Sequence, residues 1–284
     1  MQTLSGKIAV VTGASRGAGR AIAAVLGEAG ETVYVTGRTT RGTPAVDNLP
    51  GTIEDTADEV TARGGRGIAV RCDHTNDSEV EALFTRIENE SGRLDILVNN
   101  IWAGYEGLPT GLPQAPFWQQ PRMLWDTMFT AGVRAHLIAS QLATPLLMRQ
   151  SGGLIVSTVA WAYDEYLRNI FYDVSKAAIV RMIQGMAFEL RPHGIAAVAL
   201  APGFMRTERI LAAHAAHPFD LSITESPEYL GRAVRALAED VDVMRHTGQA
   251  LTVGDLAREY DFTDVDGRQP AAFRMPKADA TRDM

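Results

Sequence analysis

The first thirty residues contain a strand, a glycine-rich turn and a helix in immediate succession. Lys7–Thr12 is a short β-branched run, continuous enough for a strand that is buried on both faces. The turn Thr12–Gly19 follows, and residues 20–26 have helical periodicity. In this arrangement main-chain N–H groups and a helix N-terminus face an anion such as a pyrophosphate. We therefore expect a phosphate site made by Gly13, Ser15, Arg16, Gly17 and Gly19.

Strands and helices alternate along most of the chain. We predict strands over 7–12, 32–36, 67–72, 94–98, 154–159, 195–200 and 248–253. Helical patterns lie between them, over 20–26, 52–63, 76–90, 122–148 and 171–191. This alternation predicts an α/β fold with a doubly wound parallel sheet, a Rossmann fold, whose ligands bind at the carboxyl ends of the strands.

The chain is predicted to form a single domain over 1–254. Residues 208–246 read as helical, and a substrate lid is expected over about 204–246. An aromatic insertion at 101–121 interrupts the alternation, and it is either a pocket wall or a packed surface loop. Residues 255–284 form a polar C-terminal extension of the same domain, which either docks or stays mobile.

The end of the second strand predicts the choice of cofactor. An acidic residue there would hold the ribose 2′-hydroxyl of NAD, but this chain has Arg38 in the segment Gly37–Arg41. With Arg16 in the glycine turn, Arg38 suits a 2′-phosphate through charge-assisted hydrogen bonds. NADP(H) is therefore favoured over NAD(H).

Tyr172 and Lys176 lie one turn apart on a predicted helix, so their side chains share a face. A free tyrosine has a pKa of about 10, and a lysine ammonium roughly 4 Å away can lower that value by several units at an effective dielectric near 20. Arginine fills 24 of the 27 basic positions, so a lysine at this place is notable. The pair predicts an acid/base device.

Composition excludes several other classes of protein. The net charge of −7 and the absence of a basic block argue against a nucleic-acid partner. The single cysteine, Cys72, excludes an internal disulfide, and no His/Cys cluster has metal-ligand spacing. No apolar run is long enough to span a bilayer, and no signal peptide is recognisable, so we expect a cytoplasmic globular protein without a membrane partner.

Five motifs, in this order, resemble those of the short-chain dehydrogenase/reductase family, over about residues 5–254. They are Thr12-Gly13-x-x-x-Gly17-x-Gly19, Asp73, Asn99-Asn100, Tyr172-x-x-x-Lys176 and Pro202-Gly203-x-x-x-Thr207. The resemblance implies that Asp73 lies near the adenine, Asn99 near the adenine ribose and Thr207 at the nicotinamide end. It implies that Lys176 holds the nicotinamide ribose and that Tyr172 passes the proton. It also implies dimers or tetramers that pack through the two long helices.

Two positions depart from the family pattern. The serine that polarises the carbonyl is replaced by Val159, and the proton-relay asparagine is replaced by Gly132. Ser157 has the strand parity of Val159, and Thr158 is nearer but points to the other face. Ser157 is therefore carried as a candidate catalytic residue.

The sequence favours an NADP(H)-dependent oxidoreductase that moves a hydride between nicotinamide and a small-molecule carbonyl or alcohol. Tyr172 would be the acid/base and Lys176 its activator. Two alternatives stay open. One is an NADP-binding protein with little turnover, because Val159 and Gly132 remove part of the catalytic set. The other is a non-redox lyase or dehydratase that uses Tyr172 as its base.

Overall fold

The computed structural model describes residues 3–43, 49–104, 106, 108, 115–160, 166–167 and 169–273. A sheet of seven parallel strands runs through this part of the chain in the order β3-β2-β1-β4-β5-β6-β7. The strands are β1 (Ile8–Val11), β2 (Thr32–Gly37), β3 (Arg66–Arg71), β4 (Ile96–Asn99), β5 (Gly153–Thr158), β6 (Ile195–Ala201) and β7 (Ala250–Thr252). The doubly wound sheet is confirmed, and the strand order reverses between β1 and β4, where such sheets bind ligands.

Helices cover both faces of the sheet. They are α1 (Gly17–Glu28), α2 (Ile53–Ala62), α3 (Asp77–Ser91), α4 (Met123–Thr127), α5 (Ala135–Leu147), α6 (Ile170–Leu190), α7 (Glu208–Ala216), α8 (Pro227–Glu239) and α9 (Val253–Tyr260). Side chains cap the start of two of these helices. Thr52 accepts from the N–H of Asp55 at 3.1 Å before α2, and Asn76 accepts from the N–H of Ser78 at 3.1 Å before α3.

The core has two apolar layers, one on each face of the sheet. One layer joins the strands to α1, α2, α8 and α9, and the other joins them to α3, α5 and α6. Because the strands are covered on both faces, their sequences are continuous apolar runs rather than alternating ones. β6, for example, is buried along its whole length.

The helix predicted over 122–148 is interrupted. A π-helical segment, Met128–Arg134, joins α4 to α5 and packs against α6. It contains Gly132, the position where the family pattern has an asparagine. Since π-helical turns are rare and often lie at functional sites, this interruption indicates that the functional site includes the region beside Gly132.

The C-terminal part of the described chain packs on the body. α9 begins at Val253, before the start of the predicted extension, and the buried carboxylate of Asp264 accepts from the N–H of Ser226 at 2.8 Å. α8, which lies inside the predicted lid range 204–246, contributes Tyr229 and Leu230 to the core. A movable lid would therefore be limited to residues before α8. Within the described ranges, no helix has both the length and the apolar character needed to cross a bilayer.

Candidate active site

Tyr172 and Lys176 lie in the first two turns of α6. The side chain of Asn169 begins this helix by accepting from the N–H of Tyr172 at 3.1 Å. The Lys176 ammonium lies 5.5 Å from the centroid of the Tyr172 ring. The predicted pair is therefore side by side, with Lys176 buried and Tyr172 half-buried.

Burial lowers the pKa of Lys176 to about 7. Desolvation penalises the charged form of a lysine. Among the described residues, no carboxylate lowers this penalty by pairing with the Lys176 ammonium. Lys176 therefore changes its charge near neutrality, which is unusual for a lysine and typical of functional sites.

Two further residues, to which the sequence motifs do not point, complete this cluster. Trp102 follows β4 and places its indole against Lys176, with the Nζ atom 3.7 Å from the ring centroid. His136, on α5, is buried, and its Nε2 lies 3.1 Å from the carbonyl oxygen of Ile101. Burial and the charge of Lys176 lower the pKa of His136 to about 3, so its imidazole is neutral. The only sequence signals were the aromatic character of the loop after β4 and the spacing of His136 four residues after Gly132.

The glycine turn has the backbone conformation that its sequence predicts. Gly13 and Gly17 have φ values of +64° and +55°, which L-residues with a side chain rarely adopt. A Cβ atom on Gly19 would lie 2.4 Å from the carbonyl oxygen of Gly13. Ser15 and Arg16 lie between these glycines, and Arg16 precedes α1 in an extended conformation. The turn is thus closely packed, and it leads directly into the N-terminus of α1.

A carboxylate already lies at this N-terminus. The N–H of Gly17 donates to the two carboxylate oxygens of Glu208, at 2.9 and 3.3 Å. Glu208 is the first residue of α7, which Thr207 caps by accepting from the N–H of Ile210 at 3.4 Å. Because the turn already binds an anionic carboxylate, it also suits the anionic phosphates of a dinucleotide.

The loop after β6 carries the predicted residues Pro202, Gly203 and Thr207. The N–H of Gly203 donates to Glu225 at 2.8 Å. Glu225 is buried, and burial raises the pKa of its carboxyl to about 7. A Cβ atom on Gly17 would lie 3.6 Å from Cγ2 of Thr207. The structure therefore brings the end of this loop to the glycine turn.

Arg38 and Asp73 lie near each other, where β2 and β3 end side by side. Gly37 is in register with Arg71, one residue before Arg38 and two before Asp73. Burial acts to raise the pKa of Asp73, but hydrogen bonds from Thr75 and the charge of Arg38 hold it below its ordinary value. Arg38 also forms an ion pair with Glu106.

Arg16 reaches toward the same corner. Its guanidinium donates to Thr39 Oγ1 at 3.3 Å and to the carbonyl oxygens of Pro50 and Gly51 at 3.1 and 3.3 Å. The Arg16 guanidinium therefore lies beside Thr39, the residue that follows Arg38 after β2.

The side chain of Asn99 points into the core. It donates to Ser140 at 2.9 Å and to Ser157 at 3.4 Å. Toward a cofactor, Asn99 could therefore act only through its main chain. Ser157 is fully buried in this network. Its hydroxyl therefore supports the packing of Asn99, and we do not assign it a catalytic role.

The residues after Ser157 follow the predicted parity. Thr158 donates toward Asn100 Oδ1 at 3.3 Å, on the face opposite Ser157. Val159 is buried among the residues that pack on α6. A valine therefore stands where the family pattern has the serine, while the hydroxyls of Ser157 and Thr158 lie beside Asn99 and Asn100. Within the described ranges, there is also no group of three or more acidic, histidine or cysteine residues that could hold a metal ion.

The sheet, the glycine turn and the paired tyrosine and lysine define a doubly wound dinucleotide-binding protein. The family pattern described as short chain dehydrogenase matches residues 7–216. Dehydrogenase/reductase SDR family member 1 of Mus musculus is 38% identical over 277 residues, which cover 93% of this chain and 85% of the mouse protein. The chain belongs to the short-chain dehydrogenase/reductase family, and it is an NAD(P)-dependent oxidoreductase.

Other relatives support the same family. The 7alpha-hydroxysteroid dehydrogenase of Escherichia coli K12 is 32% identical over 208 residues, 73% of this chain and 74% of that enzyme. A solved short chain dehydrogenase from Mycobacterium thermoresistibile superposes with a TM-score of 0.81 at 25% identity, covering 95% of both chains. A 7 alpha-hydroxysteroid dehydrogenase solved with NADH and 7-oxo glycochenodeoxycholic acid has a TM-score of 0.71 at 26% identity, covering 88% of this chain and 94% of that one.

Proposed function

We propose that this protein is an NADP(H)-dependent oxidoreductase that interconverts a carbonyl compound and an alcohol. The observation that carries the proposal is the buried Lys176 ammonium one turn from Tyr172, on the helix that follows β5. The bound nicotinamide would supply or accept the hydride. Tyr172 would donate a proton to the carbonyl oxygen in reduction and take it back in oxidation.

Lys176 supports this proton transfer electrostatically. An ammonium close to a phenol favours the loss of the phenolic proton, so the pair can exchange a proton at moderate pH. Because the pKa of Lys176 is lowered to about 7, a large part of it is charged at neutrality and less at higher pH. Carbonyl reduction should therefore become slower as the pH rises above about 7.

The proposed preference for NADP(H) depends on two arginines. Arg38 stands where an acidic residue would hold the ribose of NAD, and Arg16 donates to Thr39 beside it. Asp73, which the family resemblance assigns to the adenine, lies close enough to Arg38 to feel its charge. A 2′-phosphate between these guanidinium groups would receive charge-assisted hydrogen bonds.

Low turnover is the second candidate, and Val159 is the observation that favours it. A preorganised donor to the developing oxyanion is worth about 3 kcal/mol, and β5 offers valine where the family has serine. We therefore expect slow reduction of simple aldehydes and ketones, with Tyr172 as the single side-chain donor that we assign.

Aromatic side chains near the pair indicate an apolar substrate. Trp125 stacks on Phe129 with ring centroids 3.9 Å apart, and its ring lies 6.5 Å from that of Phe171, the neighbour of Tyr172. Large apolar ketones fit such a surface better than small polar ones. The hydroxysteroid dehydrogenases among the relatives make steroid ketones a reasonable class to test.

The function is tested by following absorbance loss of NADPH and NADH with a panel of aldehydes, ketones and steroid ketones. We expect turnover with NADPH, and at least a hundredfold loss in Tyr172→Phe with unchanged cofactor affinity, the usual scale of general acid catalysis. Tyr166→Phe is the matched control, because Tyr166 is an exposed tyrosine close in sequence. Full carbonyl reduction by Tyr172→Phe would refute the proposal, and cofactor binding without turnover on any substrate would favour the second candidate.

We also propose that the protein forms homo-oligomers through its long helices. Phe188 on α6 is 82% exposed, and Leu137 on α5 is 45% exposed. α6 carries apolar residues on its exposed side as well as its buried side, which is typical of a helix that has a further packing partner.

A further inference from the structure

The indole of Trp102 touches both members of the acid/base pair. The Lys176 ammonium lies 3.7 Å above its centroid. The Tyr172 ring meets it edge to face, with centroids 5.2 Å apart and an interplanar angle of 89°. A single side chain therefore contacts the lysine and the tyrosine at once, from the loop after β4.

Two glycines leave room for this indole. A Cβ atom on Gly132 would lie 2.8 Å from Cζ3 of Trp102, and one on Gly104 would lie 2.4 Å from Cζ2. Contacts this short are not tolerated between packed carbon atoms. Glycine disfavours a helix relative to alanine, so a glycine inside the α4–α5 helix needs a local cause. The indole provides that cause, because it occupies the space that a side chain at position 132 would need.

The indole also acts on the charge of Lys176. The face of tryptophan attracts a cation more strongly than any other side-chain ring, and the attraction is strongest when the cation is desolvated, as Lys176 is. Among the residues that the structure describes, the other titratable groups beside Lys176 are Tyr172 on its own helix and the neutral His136 on α5. Trp102 therefore favours the ammonium over the amine and fixes its place beside Tyr172.

We propose that Trp102 is a positioning residue for the acid/base pair, and that it takes the space of the family's relay asparagine, with Gly132 as its complement. The inference rests on the proposed function, because it assigns a task within the same site. Its test nevertheless needs neither cofactor nor substrate.

The chain has three lysines, Lys7, Lys176 and Lys277, so protein labelled with ¹³C at lysine Cε gives three resonances. We expect the Lys176 resonance to be shifted upfield by the indole ring current. In Trp102→Leu that shift should disappear, and the pKa of Lys176 should fall by about one unit, equivalent to about 1.4 kcal/mol. Trp102→Phe should retain part of both effects. Trp118→Leu is the control, because Trp118 is 70% exposed in the same loop.

The complementarity of Trp102 and Gly132 is tested by a double-mutant cycle in the free energy of unfolding. Gly132→Asn should destabilise the wild type strongly and should cost much less in Trp102→Ala, where the ring is gone. Equal costs in both backgrounds would overturn the claim that the indole explains the glycine. This measurement also serves if Trp102→Leu folds poorly.

Activity separates this inference from the proposed function. In Trp102→Leu we expect kcat for carbonyl reduction to fall about tenfold, and the pH at which the rate declines to fall by about one unit. If the enzyme is active but Trp102→Leu changes neither the pKa of Lys176 nor the pH profile, the inference is wrong and the function stands. If the Lys176 resonance depends on Trp102 but no carbonyl is reduced, the contact is supported and the function is wrong.

Discussion

The N–H of Gly17 donates to the carboxylate of Glu208, with the shorter of the two contacts at 2.9 Å. These residues are 191 positions apart, and each is the first residue of its helix, α1 and α7. None of the α7 side chains is buried, so this contact is one of the described ties between α7 and the body of the protein. A cofactor phosphate that binds the glycine turn must compete with Glu208 for this N–H.

Glu208→Gln should therefore bind NADP more tightly than the wild type. The substitution removes a negative charge that a helix N-terminus stabilises by about 0.3–1 kcal/mol, so we expect a gain in affinity of about two- to fivefold. Isothermal titration calorimetry measures it. Glu228→Gln removes a first-turn carboxylate from α8 and should leave the affinity unchanged. Weaker binding in Glu208→Gln would show that Glu208 holds the turn in shape instead of competing for it.

Arg38→Ala should lower the affinity for NADP about tenfold and the affinity for NAD by less than threefold. The reason is that Arg38 would contact the 2′-phosphate, which NAD lacks. Arg41→Ala is the matched control, because Arg41 follows the same strand but pairs with Asp55 and Asp58. If the preference for NADP survives Arg38→Ala combined with Arg16→Ala, the cofactor assignment is wrong.

The pH dependence of stability should reveal the buried lysine. The pKa of Lys176 is about 7 in the folded state and about 10.4 for an unfolded chain, so between these values the unfolded state binds more protons. The free energy of unfolding of the wild type should therefore rise with pH from about 7 to about 10, relative to Lys176→Met. Urea unfolding at pH 6.5 and pH 9.5 measures the difference.

Lys7→Met provides the comparison for this experiment, since the Lys7 side chain is 45% exposed. We expect its difference from the wild type to be similar at both pH values. A difference for Lys176→Met that is equally constant would show that Lys176 stays charged throughout, and that burial does not lower its pKa.

Phe188→Glu should dissociate the proposed oligomer. It places a charge on the exposed face of α6, where an apolar side chain would be buried between subunits. Light scattering after size exclusion should show a smaller mass than the wild type. Val241→Glu, which changes a still more exposed apolar residue outside the long helices, should not alter the mass. A monomeric wild type would refute the proposed assembly directly.

Much of the architecture was predictable because its causes are local. Strands buried on both faces read as continuous apolar runs, and Thr52 and Asn76 cap their helices within three residues. The glycine turn was equally readable, because Gly13 and Gly17 need positive φ values. The π-helical segment was missed, because nothing in the periodicity of residues 122–148 separates it from an ordinary helix.

The sequence by itself determined the sheet, the glycine turn and the spacing of Tyr172 and Lys176, because a helix brings residues i and i+4 to one face. Only the tertiary structure decided which side chains contact these groups. It placed Trp102 on Lys176, set Glu208 on the glycine turn, and buried Ser157 against Asn99. Each of these contacts joins segments distant in sequence, and such contacts depend on how loops and helices pack over the sheet, which local pattern does not encode.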